Sequence, residues 1–113
     1  MGYVYLIKDP SNRTYKIGVT RVMDGTRILK LQTGNSTELQ LMFYYHTPYP
    51  FRMETMLHKK YQDYRVLNEW YELPEEDVKN FLNTCSDIDE IIKSLKDNPY
   101  FNKKLRKYKN QKS

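Results

Sequence analysis

The sequence predicts an α+β domain, a small three-stranded antiparallel or mixed sheet flanked by helices. Three observations lead there. Two β-branched, aromatic runs flank a turn cluster near the N-terminus, and a third such run covers 38–46. From residue 51 onward, apolar residues recur at helical rather than strand spacing.

Taken in order, Tyr3-Val4-Tyr5-Leu6-Ile7 suits a strand, and Asp9-Pro10-Ser11-Asn12 is a turn cluster. Tyr15-Lys16-Ile17-Gly18-Val19-Thr20 then reads as the returning strand of a hairpin. Asp24-Gly25-Thr26 leads into a helix carrying Ile28, Leu29 and Leu31, with Gly34 as its stop. Glu38 to His46 is the third strand, broken by Thr47-Pro48-Tyr49-Pro50. Met53, Met56, Leu57 and Tyr61 predict a helix over 51–64, on which Glu54 and His58, four apart, share another stripe. Asn68 to Leu73 is a short extended segment. Pro74-Glu75-Glu76-Asp77 is a strong helix start, followed by Val78, Phe81 and Leu82 on a packing face. Ser86-Asp87-Ile88-Asp89 reads as a further N-terminus ahead of Ile91, Ile92 and Leu95. The domain is expected over 1–97, with a C-terminal helical extension, and a basic, mobile tail over 98–113.

Composition narrows the classes. The chain has 113 residues and a single cysteine, Cys85, so no disulfide can form within it. No apolar run is long enough to span a membrane, and no charged region precedes an apolar one as in a secretory signal. An intracellular, cytoplasmic setting without a membrane partner is therefore expected. The net charge of +5 is uneven: residues 1–66 carry +5, residues 67–97 carry −6, and residues 98–113 carry +6. A basic surface is the footprint of a polyanion partner, although a solvated face and a solubilising tail would look the same.

Tyr3-Val4-Tyr5 followed by Lys16-Ile17-Gly18 resembles the paired signature of the GIY-YIG nuclease superfamily. Arg27-x3-Leu31-Gln32-Thr33-Gly34-Asn35, Glu54-x2-Leu57-His58 and Arg65-x3-Glu69-Trp70-Tyr71 extend the likeness over roughly residues 2–82. They resemble one branch, that of phage Orf-type DNA-binding proteins and domains named after meiotically up-regulated genes. The absence of Ala and the abundance of Lys, Asn, Tyr and Ile fit an AT-rich genome, such as that of a phage or large DNA virus.

The resemblance implies hydrolysis of DNA phosphodiester bonds, in double or single strands, by water and one divalent metal ion, Mg²⁺ or Mn²⁺. Glu54 takes the acid of the family's metal position, where one carboxylate with phosphate and water suffices for a hard cation. Its bland alternative is a helix salt bridge. Arg27 suits a phosphate contact, since a guanidinium is always charged and can bind two oxygens. Tyr5 would accept a proton from water or orient it. Lys16 departs from the pattern, where a Tyr is more usual. An ammonium beside a phenol favours the phenolate, so the hypothesis is that Lys16 helps Tyr5 act as general base. Lys16 holding phosphate is the other option. His58 is either a general acid or base, a partner of the Glu54 carboxylate, or a packing residue. His46 has a weaker claim. Glu69 is a candidate second acid, Arg65 a partner for Glu69 or for phosphate, and Trp70 an anchor of the core. Lys103, Lys104, Arg106 and Lys107 would add sequence-independent affinity.

The reading is thus an active endonuclease, with a catalytically inactive DNA-binding module of the same fold as the alternative. A protein-interaction module is a third option, distinguished by the lack of the steeply salt-dependent affinity for DNA that phosphate binding gives. No zinc finger or separate helix-turn-helix is available for sequence recognition. The expectation is then a nickase or structure-tolerant nuclease, or a domain that relies on a homodimer partner for targeting, alongside DNA.

Overall fold

The computed structural model describes residues 1–23 and 39–97. The helix expected after Thr26, with Arg27 and Gly34, and the basic tail over 98–113 lie outside the described residues.

Strands β1 (Gly2–Asp9) and β2 (Thr14–Thr20) form the expected hairpin, with Tyr5 opposite Gly18 and Ile7 opposite Lys16. The turn between them is tied by the Asp9 carboxylate, which accepts hydrogen bonds from the Ser11 amide and hydroxyl and from the Asn12 side chain. Arg13 closes it at a φ of 53°. Strand β3 (Gln40–Thr47) pairs antiparallel on the other side of β1, with Tyr44 opposite Tyr5 and His46 opposite Tyr3. Its register shifts between Leu6 and Ile7, so the alternation of faces changes there.

Helix α1 (Pro50–Lys60) starts with Pro at its first turn and ends with His58, Lys59 and Lys60 against the negative end of its dipole. The expected span of 51–64 is shortened. A 3₁₀ turn over Gln62–Tyr64 leads instead into β4 (Arg65–Leu67) and β5 (Trp70–Tyr71). Asn68 turns that hairpin at a φ of 51°, a value Asn tolerates better than most residues. Among the described residues the antiparallel sheet therefore has five strands rather than three, in the order β3-β1-β2-β5-β4.

Helix α2 (Glu75–Lys79) places Glu75, Glu76 and Asp77 in its first turn, as the sequence predicts. Helix α3 runs unbroken over Phe81–Asp97, so Ser86-Asp87 is not a helix start. The reason lies in the packing face. Phe81, Cys85, Ile88 and Ile92 form one helical stripe, and all four are buried.

The register sorts the sheet into two faces. Val4, Leu6 and Ile17 join Met53, Leu57 and Tyr61 beneath α1, together with Tyr71 and the α3 stripe, as the main core. Tyr5, Ile7 and Leu39 form a smaller cluster on the opposite face, against Met23, Leu41 and Trp70. Asp89 on α3 fastens helix to sheet. It accepts from the Thr47 hydroxyl at 3.1 Å and the Tyr45 hydroxyl at 3.4 Å, and pairs with Lys93 at 3.2 Å.

Candidate functional site

Beside β2, strand β5 covers only Tyr15 and Lys16, with one further hydrogen bond from the Ile17 amide to the Glu69 carbonyl. Past Ile17 this edge of β2 has no strand partner among the described residues. Charged groups from several elements gather where the pairing stops.

Glu54 and His58 project from one stripe of α1, and the carboxylate lies 3.7 Å from His58 Nε2. The other ring nitrogen, Nδ1, is hydrogen-bonded to the Tyr71 hydroxyl on β5. This partner orients the imidazole and leaves Nε2 toward Glu54. Glu69, just before β5, pairs with the Lys16 ammonium at 3.5 Å. Donor atoms of Glu54, His58 and Glu69 all lie within 4.8 Å of one another. Arg65, Lys59, Gln62 and Asn68 complete the open groove, which holds about 620 Å³.

Burial, foremost, and the nearby Glu69 charge push Glu54 above the ordinary carboxylate range, against the pull of His58 and Lys16. Tyr71 is also pushed up, chiefly by burial. Adjacent ligands of an octahedral ion with bonds of about 2.1 Å stand about 3.0 Å apart, and only one pair of three can lie opposite at about 4.2 Å, so this cluster must contract to close on a cation. The two carboxylates suit Mg²⁺, and the added imidazole suits a transition ion such as Mn²⁺ better.

Tyr5 and Lys16 share one sheet face, on diagonal positions of the hairpin, as their expected partnership requires. The Tyr5 ring crosses β2 directly over Gly18, where an added Cβ would sit 2.6 Å from Tyr5 Cζ. The glycine of the Lys16-Ile17-Gly18 motif therefore admits that ring. Tyr5 itself is only 1% exposed.

A model of the T5orf172 domain matches residues 2–86. The chain belongs to the T5orf172 family. This makes it a nuclease-like or DNA-binding module. The matched span takes in every strand of this T5orf172 domain, both members of the α1 pair and Glu69, and ends within α3. No curated protein and no solved structure matches the chain.

Of the residues singled out from sequence, Glu54, His58, Arg65 and Glu69 line one groove, Lys16 joins them through its ion pair with Glu69, and Tyr5 shares the sheet face of Lys16. Arg27, Lys103, Lys104, Arg106 and Lys107 lie outside the described residues. The ion pair with Glu69 is made by Lys16. Tyr71 as the partner of His58 was missed. Its only sequence signal is its place beside Glu69 in the Glu69-Trp70-Tyr71 run, which reads equally as core. Cys85 is fully buried, and its thiol is pushed up to about 12, first by burial and then by Asp89, so it stays protonated and unreactive at neutral pH. No described helix is long and apolar enough to cross a membrane.

Proposed function

We propose that the domain is a metal-dependent endonuclease of the GIY-YIG type, which hydrolyses DNA phosphodiester bonds with water. The observation that carries this reading is the meeting of Glu54, His58 and Glu69, beside Lys16, at the open edge of β2. Glu54, with Glu69 in reach, would hold one Mg²⁺ or Mn²⁺. When bound, such an ion offsets charge on the phosphate and on the leaving oxygen.

The chain's own groups do the rest. Lys16, freed from an ion pair whose Glu69 carboxylate would help hold the cation, binds a non-bridging phosphate oxygen, and Arg27 supplies a second phosphate contact. Tyr5, held in place over Gly18, orients the attacking water or accepts its proton. His58, aligned by Tyr71, takes up or returns a proton at Nε2. Arg65 lines the groove and adds positive potential along the incoming strand.

The enclosure of Tyr5 and the engagement of Lys16 by Glu69 favour a second reading, DNA binding without cleavage. Incubation of supercoiled and single-stranded DNA with Mg²⁺ or Mn²⁺ separates the two. Metal-dependent cleavage is expected, and Glu54→Ala lowers it by at least about 100-fold, the scale of losing one group that stabilises transition-state charge. Wild-type protein that binds DNA and never cuts it would leave the second reading.

A further inference from the structure

We propose that Tyr3, Tyr44 and His46 form a stacking platform for an unpaired nucleobase, so that the domain grips single-stranded DNA next to its candidate cleavage site. The proposal rests on the nucleic-acid reading above and adds the strand form that the site prefers.

The three rings occupy the sheet face that carries Tyr5 and Lys16. His46 stands opposite Tyr3, and Tyr44 opposite Tyr5, across the β1–β3 pair. Tyr3 and His46 are stacked, with centroids 4.8 Å apart and planes 28° apart, and Tyr44 meets Tyr3 edge-on at 5.9 Å. Tyr3 is half-buried and braces the other two. His46 is exposed, and Tyr44 is 52% exposed on an edge strand. Cross-strand aromatic pairing alone stabilises a sheet, but it does not require two of the residues to stay exposed. Further along the same face, Leu41, Ile7 and Trp70 bury one another, so the uncovered rings are confined to the Tyr3 end.

The occupant must offer a flat π-face and a negative backbone. A nucleobase of any identity stacks on such rings. Lys16 on the same face, and exposed Arg21 just past Thr20, the β2 partner of Tyr3, supply cations for the backbone. A duplex keeps its bases stacked on one another, so the platform discriminates in favour of unpaired strands.

The test is fluorescence anisotropy with the full chain in EDTA, using labelled oligothymidylate and a blunt duplex of equal length. Tyr44→Ala and His46→Ala are each expected to weaken single-strand binding by about 5- to 100-fold and to leave duplex binding unchanged. Tyr44→Phe keeps the ring and retains affinity. The slope of log affinity against log salt stays at the wild-type value in Tyr44→Ala, because no phosphate contact is removed. Folded alanine variants that bind single strands like wild type overturn the platform, as does an equal loss on duplex. Failure of the nuclease reading is separate: it shows as absent cleavage with Mg²⁺ or Mn²⁺, whatever these EDTA titrations give.

Discussion

Gly18 and Asp9 show how single side chains set up this domain. Gly18 is buried beneath the Tyr5 ring, and the ring has no room to retreat because Tyr5 is itself enclosed. Gly18→Ala should cost about 1–3 kcal/mol, the usual range for overpacking, read as a lower midpoint in urea. An unchanged midpoint would mean that the ring moves freely. At the hairpin turn, the Ser11 hydroxyl, aided by the Ser11 amide and Asn12 and opposed by burial, holds Asp9 below its ordinary value of 3.8. A carboxylate depressed on folding stabilises above its unfolded pKa, and that stability is lost as pH falls through the folded one. The acid limb of the stability curve should therefore flatten below pH 3.8 in Asp9→Asn, with lower stability than wild type at pH 7. Urea midpoints across pH 2–7 check both, and parallel curves for the two proteins would count against this role.

At the scale of elements, the join between α3 and β3 is polar within an apolar core. The Tyr49 amide donates to the Thr47 hydroxyl, which donates to Asp89, so helix, strand and the entry to α1 share one chain of hydrogen bonds. Asp89→Ala strands the buried Thr47 hydroxyl and should destabilise by about 1–3 kcal/mol, read by thermal or urea unfolding. A loss below about 0.5 kcal/mol would show that water replaces the carboxylate. What the sequence revealed differs element by element. β1, β2, β3 and α1 were legible because each carries its own local pattern, and the Glu54–His58 pair followed from helical spacing alone. Of the β4–β5 hairpin, the sequence predicts only an extended piece over Asn68 to Leu73, which covers β5 and leaves out β4. Its pairs, Tyr15 with Tyr71 and Lys16 with Trp70, join residues far apart in the chain, and no local pattern encodes them. The contact of Tyr71 with His58 on α1 depends on that pairing and is hidden too, whereas Glu69 is already a candidate second acid in the sequence. The single α3 was misread as two pieces because Ser86-Asp87 has the chemistry of a cap, while the continuous buried stripe overrides it.

For the whole molecule, the uneven charge is the main determinant of how DNA is met. The strongly acidic stretch falls within β5, α2 and α3 and the segments joining them, whereas Lys16, Arg21 and Arg65 lie on β2, just past it, and on β4. Residues 98–113 add six cations and no acid. Deleting them should weaken DNA binding and lower the salt slope by up to about 4–5, given roughly 0.7–0.9 per phosphate contact. Anisotropy titrations over a salt series measure this, and an unchanged slope would remove the tail from the binding surface.

The grip of β5 on β2 spans two residue pairs and one further backbone hydrogen bond. Glu69 depends on it, whereas Tyr71 is itself buried in the main core, and Glu54 and His58 ride on a helix locked into that core by Met53 and Leu57. The Glu69 arm of the cluster can thus come undone while the rest of the fold stays closed. The amide proton of Trp70 should exchange through this small local opening well before those of Val4 and Leu6, whose exchange needs the core to open. The working state of the site then has its own lifetime, shorter than that of the fold. A ligand that bridges Glu54 and Glu69 would lengthen it by stitching the hairpin back to the helix.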